Sequence, residues 1–171
     1  MKLKICSLEE VQKYMDEGWP DFLISLVDSN FKGEWDSVDE RHLVLYFDDI
    51  TIPRKGYVLP QMSHVLEILK FAARVDPDKN LLVHCHQGIS RSTAAAIAIS
   101  IQNGLEYEDA FESICNIRPG LWPNQRMIGI IDDIFNLGGE LGRFVADWKR
   151  DEFIKKYKDE IAEKVKNSYE N

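Results

Sequence analysis

The residues best suited to chemistry lie in one short stretch, 84–92, with the sequence HCHQGISRS. An apolar run ends at His84 and an alanine-rich segment begins near Ser92, which predicts a strand, a short loop and a helix. A helix N-terminus carries unpaired N–H groups and a partial positive charge, so it attracts a phosphate dianion and favours a thiolate at Cys85. The guanidinium of Arg91 can bind two phosphate oxygens at once. The stretch therefore predicts a nucleophile and a phosphate clamp on one loop.

The remaining loop positions are predicted to line the phosphate site. Gly88 lets the backbone curl so that successive amides face inward and form an anion-binding nest. A lone cysteine after a strand is usually a buried structural thiol. Here, however, five residue types fall in the right order, which average residue usage rarely produces by chance. The predicted substrate-binding residues are His86, Gln87, Gly88, Ile89, Ser90 and Arg91.

The pattern HCx5RS at 84–92 resembles the signature of protein tyrosine phosphatases, and SRS at 90–92 is similar to the form found in the dual-specificity branch. Downstream, RP at 118–119 and PN at 123–124 resemble a segment of the same branch. The resemblance covers roughly residues 22–137. It implies the phosphatase-loop fold and a cofactor-free, metal-independent enzyme. Such an enzyme removes phosphate from phosphotyrosine-type monoesters through a cysteinyl-phosphate intermediate.

The resemblance also implies roles for individual residues. Cys85 is the expected nucleophile, and Arg91 binds phosphate in the ground and transition states. Ser92 is expected to hydrogen-bond the sulfur and help it leave when the intermediate is hydrolysed. His84 would orient the loop and help to hold the thiolate, whereas Asn124 would brace the loop without taking part in the chemistry.

Members of the family use an aspartic acid on a loop after the preceding strand, and Asp48 and Asp49 are the acidic pair so placed. A carboxylic acid there can protonate the leaving group and later accept a proton from water, which typically gives about 10²–10⁴-fold in rate. Asp49 is favoured over Asp48, because the first acid after a strand more often caps or turns the chain. Asp48 remains the alternative.

Some departures from the family bear on the substrate. Gln87 stands where many relatives have alanine, and a Lys-Asn-Arg-Tyr segment that deepens the pocket of phosphotyrosine-only enzymes is missing. A shallower cleft that also admits phosphoserine or phosphothreonine is therefore expected, with Trp122 and the Arg54-Lys55 pair as candidates for its rim. The alternatives are a phosphoinositide or RNA 5′-phosphatase on the same fold, or a phosphate-binding pseudophosphatase.

Apolar runs and periodicity predict an α/β fold with a central, mostly parallel sheet that helices cover on both faces. Each predicted strand is a short apolar run ended by polar or turn residues. Each predicted helix shows apolar residues at three- and four-residue spacing or is apolar all round. The predicted strands are 22–27, 42–47 and 80–84, and the predicted helices are 62–73, 92–102, 106–117 and 124–137.

Length and charge limit the remaining possibilities. The 171 residues predict a single phosphatase domain over 1–171, with 148–171 as a C-terminal helical extension. In that extension Ile154, Tyr157, Ile161 and Val165 form a stripe, expected to pack on the domain or, less simply, to bind a partner.

The net charge of −8 argues against nucleic-acid binding. The three cysteines suggest neither a disulfide framework nor a metal site. The absence of an apolar leader or membrane span predicts a cytoplasmic protein. We expect a monomer that acts on a phosphorylated protein or peptide, with no membrane partner.

Overall fold

The computed structural model describes residues 1–33 and 39–169, and of 161–169 it describes the backbone. Within these ranges, four strands form one parallel sheet in the order β1-β4-β2-β3: β1 (Lys2–Ser7), β2 (Phe22–Val27), β3 (His42–Tyr46) and β4 (Asn80–Cys85). The predicted α/β fold class with a central parallel sheet and flanking helices is confirmed.

Alternating strand residues point to two apolar layers of unequal size. Ile5, Ile24 and Val83 belong to the large core, whereas Cys6 and Leu82 belong to a small cluster. This alternation follows from the two-residue period of a strand, which turns neighbouring side chains to opposite faces of the sheet. Both faces must therefore be covered by helices, which explains why the strands are apolar almost throughout.

In the part of the chain that the structure describes, six helices provide that cover: α1 (Leu8–Asp16), α2 (Met62–Ala72), α3 (Arg91–Gln102), α4 (Tyr107–Ile117), α5 (Gln125–Phe135) and α6 (Glu140–Tyr169). Val11 of α1 packs in the small cluster, while residues of α2 to α6 pack in the large core. Helix α3 is the central one, because it is buried almost throughout its length.

Sequence analysis missed the first strand and the first helix. Strand β1 has the sequence KLKICS, in which Lys2 and Lys4 interrupt the apolar residues. It nevertheless pairs with β4 along its whole length, from Lys2 opposite Asn80 to Ser7 opposite Cys85. The sheet therefore extends one strand beyond the region that resembles the family, and this strand ends beside the cysteine.

Helix α6 also differs from the expectation, because it starts at Glu140, before the predicted extension, and runs without a break to Tyr169. Its first turns are buried through Leu141 and Val145. The stripe of the predicted extension was expected to pack on the domain. This expectation is wrong for Ile154 and Tyr157, which are exposed. The side chains of Ile161 and Val165 lie outside the described part of the chain. In residues 1–33 and 39–169, no helix is both long and apolar enough to cross a bilayer.

Candidate active site

The carboxyl ends of the four parallel strands meet at one edge of the sheet, and the candidate residues lie in the loops that leave that edge. Asp28 follows β2, Asp48 and Asp49 follow β3, and the loop after Cys85 leads from β4 into α3. This edge is the usual site of ligand binding in open α/β sheets. The parallel topology thus brings together residues that are far apart in the sequence.

The thiol of Cys85 lies at the N-terminal end of α3 and is 1% exposed. Its Sγ accepts a hydrogen bond from the Gly88 backbone N–H at 3.3 Å and lies 3.2 Å from Ser92 Oγ. Ser92, in the first turn of the helix, is fully buried. The sulfur therefore has two hydrogen-bonding partners and lies at the N-terminal, positive end of the helix dipole.

The peptide groups of the loop are held from outside by other parts of the chain. Four backbone carbonyls within residues 86–90 each accept a hydrogen bond from a donor that lies outside the loop. These bonds are Leu8 N to His86 O at 3.0 Å, Arg118 Nη2 to Gln87 O at 3.2 Å, Trp122 N to Ile89 O at 2.7 Å and Asn124 N to Ser90 O at 3.4 Å.

The orientation of these carbonyls determines where the loop amides point. In a trans peptide, the N–H is directed opposite to the C=O of the same plane, and no cis peptide occurs among the described residues. Because the carbonyls point outward to their donors, the N–H groups of 87, 88, 90 and 91 point to the other side. The Gly88 N–H confirms this direction by pointing at Cys85 Sγ. Such a set of converging amides can bind an anion.

Gly88 is required at its position for two reasons. Its φ of +72° is a left-handed conformation that side chains with a Cβ rarely adopt. A Cβ added there would also lie 2.5 Å from the carbonyl carbon and oxygen of Cys6. The loop therefore packs directly on the backbone of β1, the strand that sequence analysis missed.

Arg91 is buried, and its guanidinium is held by two groups on neighbouring loops. Nη1 donates to the carbonyl of Phe47 at 2.6 Å, and Nη2 forms an ion pair with Asp28 at 2.7 Å. Among the described residues, Arg91 Nε is the one buried side-chain nitrogen or oxygen without a hydrogen-bond partner. Because an unpaired buried donor is costly, this N–H has the character expected of a donor reserved for an anionic ligand. Sequence analysis gave no role to Asp28.

The two neighbouring aspartates have different environments. Asp48 is buried and accepts hydrogen bonds from Ser29 Oγ at 2.6 Å and Val58 N at 2.6 Å. Burial raises its pKa, but the hydrogen bonds from Ser29 and Val58 outweigh that effect and hold the pKa below its usual value. Asp48 is thus a buried brace for the loops around β3.

Asp49, in contrast, is exposed and lines a cleft together with Gln87, Ile89 and Ser90. Its Oδ1 accepts hydrogen bonds from Ser90 Oγ and from Asn124 Nδ2, both at 2.7 Å. Of the two acids, Asp49 is the one that is tied to the cysteine loop and open to the cleft. The side-chain Oδ1 of Asn124 also accepts from Met127 N and so caps α5.

His84 lies beneath the loop in a fully buried position. Its Nε2 is 2.6 Å from Ser25 Oγ, which is in turn 2.8 Å from Nε2 of His42. Burial lowers the pKa of His84 to about 4, so its ring is neutral at neutral pH. The expected orienting role fits these contacts, but the ring does not supply a positive charge to hold the thiolate.

The cleft beside the loop has a volume of about 620 Å³. The predicted rim residues Arg54 and Trp122 line it, whereas Lys55, Cys85 and Arg91 do not. Lys149 of α6 also lines the cleft and was not anticipated. Sequence analysis assigned this part of the chain to a C-terminal helical extension and gave it no role in the site. Among the described residues, no group of three or more His, Cys, Asp or Glu side chains could hold a metal ion.

Comparison with known proteins places the fold. No protein-family model matches the chain. A curated relative, "MAP kinase phosphatase with leucine-rich repeats protein 2" of Dictyostelium discoideum, is 33% identical over 73 residues, which is 42% of this chain and 10% of that protein. The chain thus spans about a tenth of that relative's length.

Solved structures of phosphatases match over a larger part of the chain. Cydia pomonella PTP-2 phosphatase matches with a TM-score of 0.60 at 20% identity, over 78% of this chain and 85% of that one. Human DUSP28 matches with a TM-score of 0.57 at 19% identity, over 77% and 89%. A structure of PTPMT1 in complex with PI(5)P matches with a TM-score of 0.53 at 15% identity, over 86% and 94%. The resemblance inferred from the HCx5RS pattern is therefore confirmed at the level of the fold.

Proposed function

We propose that this chain, which has the fold of the protein tyrosine and dual-specificity phosphatases, is a cysteine-dependent phosphomonoesterase. Its proposed substrates are phosphotyrosine residues in proteins or peptides, with phosphoserine and phosphothreonine as further candidates. The observation that carries the proposal is the buried Cys85 Sγ, which accepts a hydrogen bond from the Gly88 amide in a loop where the carbonyls of 86, 87, 89 and 90 bond outward to other parts of the chain. A loop of this kind stabilises both a thiolate and a bound phosphate.

In the first step, Cys85 Sγ attacks phosphorus and the bond between phosphorus and the leaving oxygen breaks. The loop amides and the unpaired Arg91 Nε bind the phosphoryl oxygens, whose charge spreads over the equatorial positions in the transition state. Protonated Asp49 donates its proton to the leaving phenolate or alkoxide. Its hydrogen bonds to Ser90 and Asn124 keep the carboxyl group beside the loop.

In the second step, water attacks the cysteinyl phosphate and the S–P bond breaks. Asp49, now ionised, accepts the proton from the water, and inorganic phosphate leaves. Ser92 Oγ, 3.2 Å from the sulfur, donates a hydrogen bond to the departing thiolate. The cycle regenerates both the thiolate and the protonated acid, so it needs neither metal nor cofactor.

The nucleophile is tested by comparing Cys85→Ser with the matched variant Cys115→Ser, because Cys115 is half-buried on α4 and belongs neither to the loop nor to the lining of the cleft. We expect Cys85→Ser to abolish hydrolysis of p-nitrophenyl phosphate and to retain vanadate binding, while Cys115→Ser keeps the wild-type rate. Acid quenching during turnover should trap phosphate on Cys85, detectable by mass spectrometry. Robust turnover by Cys85→Ser would rule out the covalent route, and an inactive wild type that binds vanadate would indicate a pseudophosphatase.

The substrate class is tested with a panel of phosphopeptides, phosphoinositides and 5′-phosphorylated RNA. The PI(5)P complex of a protein with the same fold makes the lipid the second candidate. The loop itself argues for a peptide, because its variable positions carry no lysine to bind the extra phosphates of an inositol ring. A kcat/KM that is highest for a phosphoinositide would overturn this preference.

A further inference from the structure

Lys149 is the only lysine among the buried residues of the described chain, with 9% of its surface exposed. Its Nζ donates to the carbonyl of Pro123 at 2.6 Å and lies 4.7 Å from the centroid of the Trp122 ring. Lysine is among the side chains least often buried, since removing its ammonium from water is costly. A buried lysine at the edge of the candidate active site therefore calls for a specific role.

Helix α6 delivers this lysine to the cleft because its first turns are firmly packed. Leu141 and Val145 are fully buried, and the ring of Trp148 contacts Phe111 of α4 with a centroid separation of 5.0 Å. The anchored turn therefore fixes the position of the ammonium. From residue 151 to residue 160 the helix is exposed, so among the side chains that the structure describes, those of α6 that reach the site belong to its first turns.

The segment 122–124, which receives the lysine, also makes the contacts that join the acid to the cysteine loop. Trp122 N donates to Ile89 O, and Asn124 N donates to Ser90 O. Asn124 Nδ2 donates to Asp49 Oδ1. Lys149 holds the carbonyl between these two anchor residues. Any shift of the segment would thus move the amide that orients the Asp49 carboxyl.

Lys149 is mainly protonated at neutral pH, although its surroundings lower its pKa. Burial lowers the pKa of Lys149 to about 8, while the carboxylate of Asp49 acts in the opposite direction. Asp49 and Arg54 are the other charged residues that line the cleft. A protonated ammonium donates the stronger, charge-assisted hydrogen bond to the Pro123 carbonyl.

We propose that Lys149 is a positioning residue that acts through segment 122–124 to hold Asp49 in place for proton transfer to the leaving group. This inference rests on the proposed function, because Asp49 is the acid of that reaction. It adds a residue from α6, outside the region of family resemblance, to the catalytic apparatus. The ammonium contacts the Pro123 carbonyl and the Trp122 ring, so its proposed action is on this segment and not on the substrate.

The test uses Lys149→Met, which keeps most of the chain length of the side chain but removes the donor and the charge. A small displacement of the Asp49 carboxyl should slow proton transfer to the leaving group. Poor leaving groups need this proton most, so the loss of kcat should be larger for them than for good leaving groups. For phenyl phosphate, a poor leaving group, we expect kcat to fall roughly 10-fold. For p-nitrophenyl phosphate, a good one, the fall should stay below about 3-fold. Lys149→Arg should restore much of the loss, because arginine can donate to the same carbonyl.

Lys156→Met is the matched control, because Lys156 is an exposed lysine on the same helix, and it should behave as wild type. An equal loss of kcat for both substrates would overturn the proposal and leave Lys149 with a structural role. A raised KM for acidic phosphopeptides with unchanged kcat would also overturn it and indicate a direct substrate contact.

A measurement without turnover separates this inference from the proposed function. In ¹⁵N spectra, the side-chain amide signals of Asn124 should shift in Lys149→Met and in Asp49→Ala but not in Lys156→Met. Unchanged signals in Lys149→Met would refute the positioning role even in an active enzyme. If the signals shift but the wild-type protein hydrolyses none of the phosphate esters, the link from Lys149 to Asn124 is supported and the phosphatase function is rejected.

Discussion

The contrast between Asp48 and Asp49 leads to opposite expectations for two neighbouring alanine variants. Asp48 is buried and accepts three hydrogen bonds, from Ser29 Oγ at 2.6 Å, Val58 N at 2.6 Å and Ser29 N at 3.3 Å. Hydrogen bonds to a charged group are each worth about 1.5–3 kcal/mol, but bonds to a shared acceptor are not additive. We therefore expect Asp48→Ala to lower the free energy of unfolding by roughly 2–4 kcal/mol.

The assay is urea unfolding at pH 7, followed by circular dichroism, together with thermal melting. At roughly 2–4 °C per kcal/mol for a domain of this size, Tm should fall by about 4–16 °C. Asp49→Ala should melt close to wild type and instead lose about 10²–10⁴-fold in kcat on phenyl phosphate, with a smaller loss on p-nitrophenyl phosphate. The two variants thus separate a structural carboxylate from the proposed acid.

The pH dependence supplies an internal check on the Asp48 estimate. The pKa of Asp48 lies below its usual value of 3.8, so its ionised form stabilises the fold. This contribution is fully present above pH 3.8 and is lost as the pH falls through the lower pKa of the folded state. The stability gap between wild type and Asp48→Ala should therefore narrow in strong acid. A gap below about 1 kcal/mol at pH 7, or a leaving-group-dependent loss of kcat in Asp48→Ala alone, would refute the reasoning.

Two further expectations concern the loop and its support. Gly88→Ala should lower stability by about 2 kcal/mol or more and abolish vanadate binding, because the added Cβ meets the Cys6 backbone at 2.5 Å and φ is +72°. Urea unfolding and vanadate titration check this, and tight vanadate binding by the variant would contradict it. Wild-type stability should fall as the pH drops from 6.5 towards about 4, where unfolded His84 is protonated but buried His84 is not. His84→Gln should flatten this slope, and an unchanged slope would show that other groups cause it.

The strands and helices of the central region could be predicted because their local pattern matches their final environment. The run at 22–27 is apolar throughout, since both faces of β2 are covered, and its boundaries were predicted correctly. Strand β1 could not be recognised, because lysines at 2 and 4 interrupt it and its identity as a strand depends on pairing with β4. That pairing joins residues almost eighty positions apart, which no local pattern reports.

In the candidate site, too, local features could be predicted from the sequence, whereas long-range contacts could not. The loop at 84–92 was visible because its residues are consecutive and their chemistry is specific. The ion pair of Asp28 with Arg91 and the contact of Lys149 with Pro123 were not visible, because each depends on how separate elements dock. The sequence supported only a preference for Asp49 over Asp48 as the general acid. Both residues follow the same strand, and only their three-dimensional contacts distinguish them.

The four outside donors that hold the loop carbonyls have a consequence for protein engineering. They come from residues 8, 118, 122 and 124, so a synthetic peptide spanning 84–92 would lack every one of them. Free in water, such a peptide would turn its amides in all directions and show no selective affinity for phosphate. Grafting the nonapeptide onto another scaffold should likewise fail unless those distant donors are transplanted with it.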